Sequence, residues 1–541
     1  MRSLDIYFQL AGSPQGGGWP LSMFLTPDAK PLTGGTYFPP RDKGERSGFL
    51  TVSAKVHDAW SKEPEKWQQV GDQIAGYVRD SLSQRPLLGR AEDDALLGEK
   101  LLAEVQAALA EQYDAEHGGF GYSAANPQRP KFPEPTNLIF LIERVRRGQD
   151  AAARKMLLAT LDKMAAGGIR DHVGGGFHRY STDRFWRVPH FEKMLYDNGQ
   201  LAGIYAQAFA IEPRAEYVQI VAELVDYVAR EMTSPEGAFY TALDAETDAK
   251  EGLYYLWTRA ETKKLLSGEQ YDLIASLYGL AGEPNFEEQY ILQLQRPLTA
   301  SAHERKQDFA DLSKQTRAAF ELLLAARGAR KRPLTDTKIL ASSNGLMIQG
   351  LATAGRLLGR DDYTKRAVRA ADFIVSKLVD DQGRLRRSFS GGQAKLTAFL
   401  DDYAFTIAGL IELHRATGDQ HWLASADGLM QGQIALFADE RSGGFFFTPT
   451  DHEELIARSK VPTDGAVPSG NSLSAANLLY LAEALDKPEY IARARQTIVS
   501  ATPLLEQSAL AAPQLVAAIP LLLAAEAKLT AKNKPQPGEA E

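Results

Sequence analysis

A mainly helical toroid, six helical hairpins closed into an (α/α)6 ring behind a short N-terminal α/β segment, is the fold class the sequence predicts. Two signals that recur from about residue 95 onward predict it. The first is a glycine-containing break that ends on an aromatic residue, at Gly118-Gly119-Phe120, Gly175-Gly176-Phe177, Gly237-Ala238-Phe239 and Gly443-Gly444-Phe445. The second is a capping-type residue that opens an apolar helix, at Asn137, Asn198, Asn344, Asp402 and Asn471. Asn137 and Asn198 are 61 residues apart, Asn344 and Asp402 58, and Asp402 and Asn471 69. Self-similarity at a period of ~60 residues fits one helical hairpin per unit, with neighbouring units sharing a continuous core.

Taken in order, residues 4–11 read as the end of an amphipathic helix, 13–18 as a turn and 21–25 as a strand. Residues 33–38 read as its hairpin partner. Between them Pro27-Asp28 is turn chemistry, since proline presets φ and aspartate bonds its own backbone. A helix follows at 49–61. Helical spacing then dominates, as in Leu101, Val105, Leu109 and Tyr113, or Leu410, Leu413 and His414. The interval from 198 to 344 contains strand-like text at 239–243 and 253–258, which reads as a β-hairpin inserted near 236–300.

At 541 residues the chain exceeds one ordinary core, so a large domain and at least one small one are expected. Lys and Arg total 61 against 69 Asp and Glu, a formal charge of −8, which argues against nucleic-acid and anionic-membrane partners. The absence of cysteine excludes disulfides and thiolate metal sites. Met1-Arg2-Ser3-Leu4-Asp5 lacks the apolar core of a signal peptide and no run reaches ~18 apolar residues, so a cytoplasmic location is expected by default.

Gly17-Gly18-Trp19-Pro20, Phe24-Leu25-Thr26-Pro27-Asp28 and Gly34-Gly35-Thr36-Tyr37-Phe38-Pro39-Pro40 resemble the YyaL-type family, which includes the spermatogenesis-associated thioredoxin-like proteins. The similarity covers nearly the whole chain. It implies a thioredoxin-like domain ahead of a six-hairpin helical barrel, and it makes Trp19-Pro20 the cis-proline turn of that domain. The family's Cys-bearing helix would precede Met1, so only the back half of the small domain is expected here, without thiol-disulfide chemistry. The expected domains are a partial thioredoxin-like unit at 1–88, the barrel at 89–532 and a disordered tail at 533–541.

The densest candidate site runs from Gly167 to Tyr180 and, after a short link, from Trp186 to Asn198. Loops this rich in Gly, Arg, His and aromatic residues are poor core material. They suit a sugar, because aromatic faces stack on its apolar side while charged groups bond its hydroxyls. His178 and His190 are candidate general acids and bases, with Glu192 placed to orient an imidazole. Arg179, Tyr180, Trp186, Arg187 and Tyr196 are the expected substrate contacts of the block. Asp244, beside the inserted hairpin, Asp402 and His452 complete the catalytic candidates. If alternate helices line the barrel with their N-termini at one mouth, Asn137, Asn198, Asn344, Asp402 and Asn471 would ring that mouth, and Asp401 and Tyr403 join Asn198, Asn344 and Asn471 as expected substrate contacts.

No His-Glu-x-x-His motif or ligand spacing indicates a metal, and Gly174-Gly175-Gly176 follows no strand of a βαβ unit, so neither metal nor cofactor is expected. Besides a thioredoxin-like redox role, expected only of a longer native form, two readings of function remain open. One is an enzyme acting on a small carbohydrate-like ligand, either a sugar isomerase or epimerase using two imidazoles such as His190 and His452, or a glycosidase using Asp244 or Asp402 with a second acid. The other is a non-catalytic binding or scaffold protein. The sequence leaves the oligomeric state open.

Overall fold

The computed structural model describes residues 21–83, 97–126, 129–148, 150–453 and 456–532. The expectations for residues 4–18, Trp19-Pro20, the boundary near 88 and the tail from 533 lie outside the described residues. The described N-terminal unit starts with β1 (Ser22–Leu25) and β2 (Pro31–Gly35), an antiparallel pair in which Phe24 faces Thr33. Two helices follow, α1 (Phe49–Lys62) and α2 (Pro64–Ser83), and α2 packs on β2 with Gly71 against Thr26 and Leu32. The β2 strand lies two residues earlier than its spacing suggested, because Lys30 closes the turn onto Thr26.

The ring is built from twelve positions. Six inner helices, α4 (Pro135–Gly148), α6 (Leu195–Ile211), α12 (Ala341–Leu358), α14 (Leu400–Thr417), α16 (Gly470–Leu485) and the pair α19 (Pro513–Ala517) and α20 (Ile519–Lys532), pack side by side until α19 meets α4. Outside them stand α3 (Glu99–Glu111), α5 (Ala151–Ala166), α7 (Ala215–Glu231), α13 (Asp361–Lys377), α15 (Gln420–Phe437) and α17 (Pro488–Val499). The first outer helix pairs with the last inner one, so the chain closes the circle end to end. This is an (α/α)6 toroid.

Sequence chemistry decides which helix faces which way. The inner α6 is buried on every side, through Leu195, Leu201, Ala202, Ile204, Tyr205, Ala206 and Ala208, whereas the outer α7 buries one face only, Tyr217, Ile220, Val221, Leu224, Val225 and Val228. A helix apolar all round belongs between two layers, and an amphipathic one belongs at the rim. The segment 513–532 has a window of mean hydropathy 1.4, long and apolar enough to cross a bilayer; here it is the sixth inner position.

The interval between the second and third hairpins differs from the expected β-hairpin. The strand Ala242–Leu243 pairs with Lys193–Met194 on one side and Thr335–Asp336 on the other. Between these points the chain forms four helices, α8 (Arg259–Leu265), α9 (Gly268–Tyr278), α10 (Leu298–Glu304) and α11 (Phe309–Gly328), around a core of their own that includes Trp257, Ile274, Leu277, Leu312, Phe320 and Leu323. A short antiparallel hairpin, Glu246–Thr247 with Lys250–Glu251, does lie in the interval, and the aromatic run at 253–258 forms only the Trp257–Tyr290 bridge before the helices begin at Arg259. The remaining helix, α18 (Thr502–Gln507), lies in the link before the sixth inner position.

Candidate mouth of the helical ring

The two recurrent sequence signals prove to be halves of one device. At each of three links the asparagine in the first turn of an inner helix clasps the backbone of the phenylalanine that ends a preceding turn. Asn198 Oδ1 accepts from Phe177 N (2.8 Å) and its Nδ2 donates to Phe177 O (3.0 Å). Asn344 does the same to Phe239 (2.9 and 3.0 Å), and Asn471 to Phe445 (2.8 and 3.0 Å). These asparagines are therefore not ligands ringing a mouth, as their capping-type positions suggested. Their polar atoms are spent on buried backbone, as buried polar groups require.

A second element repeats beside the clasp. In Asp114-x-x-x-Gly118-Gly119-Phe120, Asp171-x-x-x-Gly175-Gly176-Phe177 and Asp439-x-x-x-Gly443-Gly444-Phe445 the aspartate opens the turn and a later lysine bridges its carboxylate and the first glycine carbonyl. Lys131 reaches Asp114 at 2.7 Å and Gly118 O at 2.5 Å; Lys193 reaches Asp171 and Gly175 O, both at 2.8 Å; Lys460 reaches Asp439 at 2.9 Å and also bonds Gly443 O. At the second turn Gly175 has φ +80°, and a Cβ there would stand 2.1 Å from Glu223 O, so only glycine fits. Arg327, from the inserted α11, adds a second cation on Asp171 at 2.9 Å. Burial would raise the Asp171 carboxyl, but Arg327 and Lys193 outweigh it and hold it well below the usual carboxylate range.

These turns fix where the predicted site residues stand. His178 is 2% exposed, bonded through Nδ1 to Phe191 O at 2.9 Å and packed edge-on to Phe191 and Tyr255. Burial, aided by the Lys193 ammonium, depresses its imidazole to about 3, so it is a neutral structural group rather than an acid-base catalyst. Trp186 is fully buried at φ +63°, donating Nε1–H to His117 O, and offers no face to a ligand. Tyr403 is buried with its hydroxyl accepting from Leu385 N, and Asp402 is buried with its carboxylate accepting from Phe399 N and Ser342 N. Both serve the fold. Asp244 lies in an exposed turn and accepts from Glu246 N, with no partner from the ring.

What remains open to solvent gathers at the N-terminal ends of inner helices. His190 donates or accepts through Nδ1 at 2.7 Å from Glu251, its Nε2 is 3.7 Å from Glu192, and Glu192 holds Arg179 at 3.0 Å. The His190 ring stacks on Tyr180 at 5.0 Å, and Tyr180 stacks on Phe132 at 4.7 Å. Phe132 and Glu251 belong to other links, and nothing in their local sequence marked them. Arg187 lies outside this group, exposed with its guanidinium over Phe185.

At the first turn of α6, beside Arg179 and Glu192, stand Tyr196 and Asp197. Asp197 is 1% exposed and its Oδ2 is buried without a hydrogen-bond partner among the described residues. Arg179 Nε is likewise buried and unpartnered. Burial lifts the Asp197 carboxyl well above its ordinary range, with Glu192 adding and Arg179 opposing. Desolvation thus makes Asp197 hold its proton more tightly than an exposed aspartate, as carboxyls in apolar sites do. In the sequence Asp197 reads only as part of the capping-type pair Asp197-Asn198 that opens an inner helix.

A second group surrounds the start of α14. Asp401 is partly buried against Gly470, and burial together with the neighbouring Asp402 raises its carboxyl to about 7. Arg387 reaches Asp402 at 3.3 Å and lies over Phe399, against which the His452 ring also packs at 5.7 Å. His452 therefore belongs to this group, on another wall from His190. Tyr196 joins the two groups through an apolar floor of Leu346, Ala404, Phe405 and Leu473, with Val467 packed onto it. Because the folded Asp401 holds its proton more tightly than the unfolded chain, its stabilising contribution is full below about pH 4 and is lost as pH rises to about 7. Asp401→Asn is therefore expected to raise the melting temperature progressively between pH 4 and 7 and by a constant amount above, a gain of at most ~3 kcal/mol after allowance for solvent screening. A gain independent of pH would refute the shift.

Beneath the floor, the inner helices enclose a lumen of about 210 Å³ lined from all six positions. It carries Gln200, Gln207, Gln349, Thr353, Asn477 and Tyr480, polar residues inside the most apolar helices. Gln200 to Gln207 and Gln349 to Arg356 are each seven apart, about two turns of one helix face, and that spacing is the sequence signal of the lumen. Among the described residues no cluster of His, Asp and Glu is arranged to hold a metal ion.

A helical toroid with an acid-bearing mouth and an appended α/β unit is the class of protein that fold and site define. A family model described as "Thioredox_DsbH: Protein of unknown function, DUF255" matches residues 4–79. The chain is 38% identical over 512 residues to spermatogenesis-associated protein 20 of Homo sapiens, covering 86% of this chain and 63% of that one. It is 33% identical over 542 residues to the uncharacterized protein B0495.5 of Caenorhabditis elegans, covering 93% of this chain and 72% of that one. The chain belongs to the spermatogenesis-associated protein 20 family. It spans less than two thirds of the length of the human relative. Sugar epimerases, isomerases and glycoside hydrolases are among the solved structures to which it is similar. They include a cellobiose 2-epimerase from Spirochaeta thermophila (12% identity, TM-score 0.49, 81% of this chain and 99% of that one) and a D-mannose isomerase (12%, 0.48, 76% and 86%).

Proposed function

We propose that this chain acts on a small carbohydrate by proton transfer at the inner-helix N-terminal mouth, as a sugar isomerase or epimerase does. The observation that carries the reading is one cluster in which the Arg179–Glu192 ion pair meets the partly exposed His190 imidazole, beside a buried acid, Asp197, whose carboxyl desolvation raises above its ordinary range. An acid and a base of different protonation state are what proton removal and return beside a carbonyl need. The Phe132–Tyr180–His190 stack supplies a flat platform for the apolar side of a sugar ring, and Arg179, Glu192 and Tyr196 supply hydroxyl partners.

A second reading, glycoside hydrolysis, is favoured by Asp401, a carboxyl that changes charge near neutrality beside a second acid. The N-terminal unit, having no cysteine, contributes no thiol chemistry. Titration with a panel of mono- and disaccharides is expected to show binding that His190→Ala and Arg179→Gln each weaken by about tenfold, the loss of one charge-assisted or stacking contact. Absence of any saccharide binding at millimolar concentration would overturn both readings.

A further inference from the structure

We infer that the far end of the lumen, where the inner helices terminate, is a second ligand site, one that takes a monosaccharide bearing a single anionic group. Three arginines converge there from three helices: Arg146 of α4, Arg356 of α12 and Arg415 of α14. Between them lies Glu412, 7% exposed, whose carboxylate accepts from Arg415 at 2.6 Å, Arg356 at 3.2 Å and Thr353 Oγ1 at 3.3 Å. Arg146 holds Glu143 at 3.2 Å. Three guanidiniums face two carboxylates, so this end of the lumen carries an excess positive charge in a chain whose net charge is −8.

Arginine at a helix C-terminus ordinarily offsets the helix dipole from the solvent side. Here all three arginines also line the end of the lumen while staying 36–43% exposed, and two of them share the Glu412 carboxylate. Gln207 and Gln349 line the same space with side-chain amides that bond no other described residue, and Arg415 lies over the Tyr480 ring at 4.3 Å. Guanidiniums suit a carboxylate or phosphate, and amides suit hydroxyls. The volume of about 210 Å³ is below the roughly 300–1,000 Å³ of drug-sized pockets, and matches a single sugar ring. The floor of Leu346 and Leu473 separates this site from the mouth. It stands whether or not the mouth is catalytic.

The test uses the whole chain and three probes, D-glucuronate, D-glucose 6-phosphate and methyl glucoside, titrated calorimetrically. Binding of one or both anionic probes is expected to persist in the presence of saturating methyl glucoside, and which of the two binds distinguishes a sugar acid from a sugar phosphate. Arg356→Gln and Arg415→Gln, each of which leaves Glu412 one guanidinium, should weaken that binding about tenfold or more, and Arg356→Lys should restore part of it. Melting temperatures of the variants verify folding. The inference is overturned if neither anion binds at millimolar concentration, if both Gln variants bind as the parent does, or if Arg179→Gln abolishes binding while they do not, which would put the anion at the mouth.

Discussion

Asp171→Asn is expected to be the most damaging single substitution in the ring, lowering stability by about 3–5 kcal/mol, the cost of breaking a buried ion pair from one side. The asparagine preserves volume, so a cavity contributes little. What changes is charge: Lys193 and Arg327, each 1% exposed, would face one another without an anion between them. The asparagine Oδ1 can still accept from Val173 N and Gly174 N, but an amide NH2 then stands where Oδ2 accepted from Lys193 and met Arg327. Because Arg327 comes from the inserted helices, detachment of the insert should accompany the loss, and limited proteolysis within 246–334 would report it. A shift of the denaturant midpoint equivalent to less than ~1 kcal/mol would show that the network is not a structural joint.

Asn344→Ala is the second large effect. Its clasp joins residues 105 positions apart, across the entire insert, and its amide also donates to Leu340 O at 2.9 Å. Alanine leaves the buried Phe239 N–H and C=O without partners at about 1–3 kcal/mol each, so a loss of ~2–5 kcal/mol is expected. Asn137→Ala should cost far less, because that side chain bonds the Glu134 carboxylate and holds no backbone turn. Equal losses for the two variants in chemical denaturation would contradict the assignment of the clasp.

Particular residues show how far the sequence could be read. The six-hairpin ring was legible because Asn137 and Asn198, then Asn344, Asp402 and Asn471, follow one another at hairpin spacing, as do the first three glycine-phenylalanine turns. The partner of each asparagine was not, since a clasp across 21, 105 or 26 residues leaves no periodic trace. His190, Glu192, Arg179 and Tyr180 form one solvent-open group, as their adjacency within one loop suggested. His178, two residues from Tyr180, does not join it, because burial depends on the packing of Phe191 and Tyr255 rather than on neighbours in sequence. Asp197 escaped notice for the same reason: its chemistry comes from desolvation, which composition does not encode.

Proton transfer at the mouth, with Asp197 as the proposed donor, is the step on which the proposed function rests. Solvent-deuterium incorporation into free aldoses and ketoses, followed by proton NMR in D2O, tests it most directly. The account predicts exchange at the carbon beside the carbonyl, and a rate reduced by about 10²–10⁴ in Asp197→Asn with saccharide affinity retained. Exchange unaffected by Asp197→Asn, or saccharide binding without any exchange, would contradict it.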